Sequence, residues 1–125
     1  MADDPKVLVV EDDPLVRDAI KRLLEHAGFH VTIAPNGLAA LGRIRDASFR
    51  AVVCDIRLPF LQGNDFYDQL KELFPEMVKR VVFVTGWAHE DEIRAFLERT
   101  GQPYLTKPFE AAALIAAVKE VDAAT

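Results

Sequence analysis

The chain has 125 residues, half of them hydrophobic and 28% charged, with a formal net charge of -5 and a pI near 5.1. That length and mixture suit one domain with a single core, residues 1–125, and exclude wholesale disorder. The acidic balance argues against direct nucleic-acid binding as the main task, because phosphate contacts need a basic face. A single cysteine forms no internal disulfide, so nothing points to an oxidising compartment. No apolar run approaches the length of a membrane span, and Met1-Ala2-Asp3-Asp4-Pro5 is unlike a signal peptide. The expectation is a soluble, cytoplasmic domain without membrane insertion.

Taken in order, Lys6–Val10 is a lysine followed by Val-Leu-Val-Val, which reads as a buried strand. It breaks into Glu11-Asp12-Asp13 and Pro14, an acidic loop and a helix start. Asp13 is placed to cap, and Pro14 takes the first helical position, where its missing N–H costs nothing. Val16, Ile20, Leu23, Leu24 and Ala27 form a helical stripe that Gly28 ends. His30–Ala34 is the next strand. Asn36 caps a helix over residues 37–46 with Leu38, Leu41 and Ile44 inward.

Ala51-Val52-Val53-Cys54-Asp55 is a fully apolar strand ending in one carboxylate. Such a strand is buried on both faces of a parallel sheet, which makes Cys54 a small hydrophobe. The loop Ile56–Gly63 is punctuated by Pro59 and Gly63. A helix from about Asn64 to Phe74 carries Phe66, Leu70, Leu73 and Phe74, with Pro75 beyond its end. Arg80–Val84 is a fourth strand, running into Thr85-Gly86-Trp87, and Trp87 is expected to be exposed beside the rim. A helix from about Ala88 to Arg99 opens with Glu90, Asp91 and Glu92, acids that suit its amino end. Pro103–Thr106 is a short fifth strand followed by Lys107-Pro108, and the last helix runs from about Phe109 to Val121. The chain stops soon afterwards, so no output domain is expected within it.

Five repeats of strand then helix imply a doubly wound α/β domain with a parallel sheet and right-handed crossovers. Every strand-to-helix loop then lies at one edge, where such sheets bind ligands. That edge collects Glu11, Asp12, Asp13, Asp55, Thr85 and Lys107. Converging carboxylates repel unless a cation sits among them, and a hard divalent ion with oxygen ligands answers this. Asp55 at a strand end is suited to accept a phosphoryl group, since a free aspartate is already ionised at neutral pH. Lys107 supplies a positive charge for one phosphoryl oxygen and Thr85 a hydroxyl for another. His26, His30 and His89 are scattered without metal-ligand spacing.

Four pieces in order, each at a strand end, resemble the receiver domain of two-component response regulators. They are Val9-Val10-Glu11-Asp12-Asp13-Pro14, Cys54-Asp55-Ile56-Arg57-Leu58-Pro59 with Gly63, Val84-Thr85-Gly86, and Tyr104-Leu105-Thr106-Lys107-Pro108-Phe109. The resemblance implies a flavodoxin-like sheet in the order 2-1-3-4-5 with five helices. It implies Asp55 as phosphoacceptor, with Mg2+ held by Glu11, Asp12, Asp55 and the backbone carbonyl of Arg57, and Mn2+ as an acceptable substitute. Glu11 then acts mainly through a bound water. It also implies Thr85 and Lys107 on the phosphoryl oxygens, Tyr104 as the aromatic switch, and a cis Lys107–Pro108 peptide. The donor is a histidine kinase phosphohistidine or a phosphotransfer protein, the output is a protein partner, and the domain is a regulator rather than an enzyme.

Glu11 stands where some members carry aspartate. Asp13 falls after the acidic pair and is expected to cap rather than to ligate. Gly86-Trp87, with the segment from Phe96 to Pro103, resembles receivers attached to hybrid sensor kinases. A phosphatase of the haloacid-dehalogenase type is the enzyme alternative, but it wants a second aspartate two residues after the first, and Arg57 is there. A flavin-binding module would need a phosphate-cradling first loop, and Glu11-Asp12-Asp13 would repel that phosphate.

Overall fold

The structure, a computed structural model, describes residues 5–57 and 63–123. The acidic leader Met1–Asp4 and the loop residues Leu58, Pro59, Phe60, Leu61 and Gln62 lie outside them. Five strands make one sheet: β1 Lys6–Val10, β2 His30–Ala34, β3 Ala51–Asp55, β4 Val81–Thr85 and β5 Tyr104–Thr106. All pairings are parallel, in the order β2-β1-β3-β4-β5. The helices are α1 Pro14–His26, α2 Gly37–Asp46, α3 Gly63–Leu73, α4 Asp91–Thr100 and α5 Ala111–Ala123.

Strand alternation divides the core in two. Leu8, Val10, Val52, Cys54, Val81 and Phe83 face one side, against Ala40, Ile44, Phe66, Leu70, Phe96 and Leu97 of α2, α3 and α4. Val7, Val9, Ala51, Val53, Val82 and Val84 face the other, against Ile20 and Leu24 of α1 and Leu114, Val118 and Val121 of α5. Every residue of β3 and β4 is buried, as a central strand covered by helices on both faces requires. An aromatic trio joins three elements on the first side: Phe83 lies 5.2 Å from Phe96 and 5.7 Å from Tyr67, centroid to centroid.

The helix signals hold where chemistry backs them. Asp13 caps α1, its Oδ1 accepting from the Leu15 N–H at 2.9 Å, with Pro14 at the first helical position. Asn36 caps α2 by accepting from the Ala39 N–H at 2.8 Å. Gly101 ends α4 in the left-handed conformation at φ 68.

Two leucines differ from the pattern. Leu38, expected inward, is exposed, because the buried stripe of α2 runs through Gly37, Ala40 and Ile44 and Leu38 sits one residue round the helix from it. Leu73 is also exposed. Beyond it a 3-10 segment, Pro75–Arg80, turns the chain and packs Met77 and Phe74 into the core instead. The fourth strand therefore starts at Val81, after that segment, rather than at Arg80.

Phe66 is fully buried at the centre of the α3 contact with the sheet. Phe66→Ala should cost about 3–5 kcal/mol, read as a lower urea midpoint with little change in slope.

Candidate functional site

Among the described residues, three polar or charged residues are buried: Glu11, Asp55 and Thr85. They stand at or just past the carboxyl ends of the three central strands, β1, β3 and β4. A buried carboxylate without partners costs several kcal/mol, so each needs an account. Lys107, in the loop after β5, supplies most of it: its Nζ lies 2.8 Å from Glu11 Oε1 and 2.8 Å from Asp55 Oδ2. Main-chain donors take the remaining oxygens. The Arg57 N–H donates to Asp55 Oδ1 at 3.0 Å, and the Asp13 N–H donates to Glu11 Oε2 at 3.2 Å.

Asp12 is exposed and completes the group. One carboxylate oxygen from each of Glu11, Asp12 and Asp55 lies within 4.8 Å of the others. Three carboxylates against one ammonium leave this pocket short of positive charge. An all-oxygen donor set of that size fits a hard divalent cation.

Thr85 joins the site through its main chain, its carbonyl accepting from the Lys107 N–H at 2.8 Å. Its hydroxyl accepts from the Trp87 N–H at 2.9 Å. The Lys107–Pro108 peptide is cis. Tyr104 stands apart on the edge strand, paired in register with Phe83, and its side chain is half exposed.

Burial pushes the Glu11 carboxyl up to about 7 from 4.5; the Lys107 hydrogen bond opposes this and the Asp55 charge adds to it. Burial pulls the Lys107 ammonium down, but hydrogen bonds to Asp55 and Glu11 outweigh it and leave the group above its ordinary value. Burial holds the Cys54 thiol well above its usual range, so it stays a neutral hydrophobe.

A second set of contacts was not legible beforehand. The Arg57 side chain leaves the rim and places Nη2 2.6 and 2.5 Å from the two oxygens of Glu90. Its guanidinium carbon lies 4.7 Å from the centroid of the Trp87 ring, which is itself 45% exposed. An exposed ion pair typically contributes up to about 1 kcal/mol, and a cation–π contact about 0.5–1 kcal/mol. The loops after β3 and β4 are biased together by this clamp rather than locked. The available signal was an arginine two residues past Asp55 and an acid five past Thr85, at the ends of strands that pair.

A doubly wound sheet with buried acids and a lysine at its carboxyl rim defines the class of domain. Residues 7–119 match the response regulator receiver domain, and the chain belongs to that family. It is 34% identical to the transcriptional regulatory protein CseB of Streptomyces coelicolor over 121 residues, covering 97% of this chain and 50% of CseB. It is likewise 34% identical to the sensory transduction protein RegX3 of Mycobacterium tuberculosis, covering 92% of this chain and 49% of RegX3. The chain thus spans about half the length of these curated relatives. Among solved structures, a CheY-like receiver domain protein from Methanospirillum hungatei superposes with a TM-score of 0.86 at 30% identity, covering 96% of this chain and 94% of that one. The family match gives the phosphatase alternative no support. Among the described residues, no helix is long and apolar enough to cross a membrane.

The raised Glu11 group has a consequence for stability when divalent cations are chelated. The folded protein holds that proton to about pH 7, whereas the unfolded chain releases it near 4.5. Stability from this group is therefore full below pH 4.5 and is lost as pH rises towards 7, by up to about 3 kcal/mol. Urea unfolding in EDTA should show that loss, and Glu11→Gln should remove it.

Proposed function

We propose that Asp55 is the phosphoacceptor of this receiver domain and that the domain works as a switch in a two-component phosphorelay. The observation that carries this is the single ammonium of Lys107, 2.8 Å from both Asp55 and Glu11 at the rim of the sheet. The donor is the phosphohistidine of a histidine kinase or of a phosphotransfer protein. A carboxylate oxygen of Asp55 bonds to phosphorus as the donor's P–N bond breaks, and the electron pair stays on the imidazole. Hydrolysis reverses the state: water adds to phosphorus, the bond to Asp55 breaks, and inorganic phosphate leaves.

Glu11, Asp12, Asp55 and the Arg57 carbonyl are the residues that would hold Mg2+, and Mn2+, which favours similar oxygen ligands, is the expected substitute. When bound, the cation neutralises charge on the incoming phosphoryl group. The protein's own contribution is positioning. Lys107 already pairs with Asp55, so its ammonium is at hand for a phosphoryl oxygen after transfer. Thr85 gives up its hydrogen bond from the Trp87 N–H and turns its hydroxyl to a second oxygen. Tyr104, half exposed on β5, then turns into the space that Thr85 vacates, and the face formed by α4 and β5 changes. A new charge can drive such a change only by its different contacts in the two states.

The 125 residues act as one receiver domain in the cytoplasm, regulating a protein partner rather than a substrate. Catalysis is confined to the domain's own phosphorylation and dephosphorylation.

Intact mass after incubation with acetyl phosphate and Mg2+ tests the assignment. The wild type should gain one phosphoryl group and Asp55→Asn none; a gain that survives Asp55→Asn would refute it. Lys107→Ala should still gain the group, more slowly, without the change in amide exchange over α4 and β5 that the wild type shows. Normal exchange changes in that variant would remove Lys107 from the switch.

A further inference from the structure

The amino ends of β3 and β4 lie at the edge of the sheet opposite Asp55, and a cavity of about 230 Å3 sits beside them, between the chain leading into β3 and the 3-10 segment leading into β4. Buried Ile44, Phe49 and Met77, with half-buried Phe74, give it an apolar floor. Glu76 and Arg80 line it with opposite charges. In an α-helix, residues four apart face each other, and such a pair would close on itself. Here the chain is wound as a 3-10 segment over Pro75–Arg80, which rises about 2.0 Å per residue with three residues to the turn. Positions 76 and 80 are then about 8 Å apart along the axis and a third of a turn round from each other. Among the described residues the Glu76 carboxylate has no hydrogen-bond or ion-pair partner. Arg80 commits only Nη1, to the Arg50 carbonyl at 3.1 Å, and the rest of its planar fork is free.

We propose that this cavity binds a small apolar α-amino acid, its carboxylate on Arg80, its ammonium on Glu76 and its side chain against Phe49, Met77 and Ile44. An anion and a cation that line one cavity without pairing match a ligand carrying both charges. Arginine takes a carboxylate through paired donors, and a glutamate accepts from an ammonium. The apolar floor selects a hydrocarbon side chain over a polar one. The volume falls below the roughly 300–1,000 Å3 of pockets for drug-sized ligands, so the ligand is small. A peptide terminus brings only one of the two charges and leaves either Glu76 or Arg80 unmatched. Both charged ends face solvent in part, which keeps each ion pair weak and the affinity modest. The site shares no residue with the rim at Asp55, so it stands independently of phosphorylation there.

The test uses the full chain, labelled with 15N and titrated with L-leucine while the amide shifts are followed. Leucine should give saturable shifts, largest over residues 47–50 and 74–80. Leucine amide, which lacks the carboxylate, and N-acetyl-leucine, which lacks the ammonium, should each bind several-fold more weakly. Glycine, with no side chain for the floor, should not saturate. Glu76 is exposed and unpaired, so Glu76→Gln should fold normally, weaken leucine several-fold and leave N-acetyl-leucine unweakened. Arg80→Gln should weaken leucine and leave leucine amide unweakened. Should Arg80→Gln fail to fold, since it also loses the Arg50 contact, the two analogues and Glu76→Gln decide the matter. The proposal is overturned by the absence of saturable shifts at the cavity, or by leucine affinity that Glu76→Gln does not change. Equal affinity for leucine and both analogues would show apolar contact alone, and a tighter fit for either analogue would show a ligand with one charge; each result overturns it too.

Discussion

One ammonium between two buried carboxylates is the constraint on which the site depends. Glu11 and Asp55 end up side by side because β1 and β3 pair in register, Val10 against Cys54, and the next residue of each strand is the acid. Parallel pairing makes that repulsion unavoidable. Lys107 relieves it from beyond β4, and its own main chain is tied to the Thr85 carbonyl. The relief is incomplete: Asp12 adds a third acid, and the Glu11 carboxyl is driven up by burial rather than down by its partner. A pocket left in electrostatic deficit is built to receive positive charge, and a fully neutralised one would have no reason to.

The fold was largely legible because its signals are redundant. Apolar runs, caps at Asp13 and Asn36, and stops at Gly28 and Gly101 all agree on the alternation of strand and helix. What escaped was local and depended on packing. Leu38 is apolar and helical yet lies off the buried stripe, and the 3-10 segment at Pro75–Arg80 is too short to show a period. Periodicity finds a face; it does not reveal how far along that face the sheet extends.

The site was legible in a different way. Topology alone gathers Glu11, Asp12, Asp55 and Lys107 at one edge, and the structure joins them there. The Arg57–Glu90 contact was not foreseen, because a cation and an acid 33 residues apart carry no mark of adjacency. Charge on a loop reads as solvation until the partner strand is known. Tyr104 is the converse case: only resemblance singles it out, and on the edge strand its side chain is half exposed and joins none of the contacts at the rim.

The distances along the chain that the Lys107 contacts span, 96 residues to Glu11 and 52 to Asp55, bear on how the molecule is made. Synthesis proceeds from the amino end, so both acids emerge long before the cation that stabilises their burial. A nascent or truncated polypeptide stopping short of β5 lacks that ammonium and has only the main-chain donors of Asp13 and Arg57 to offer the two acids. Loop closure over such a span is also slow to be rewarded. Incomplete copies are thereby kept from settling into a native-like shape, and the signalling pocket matures only when the last strand has docked.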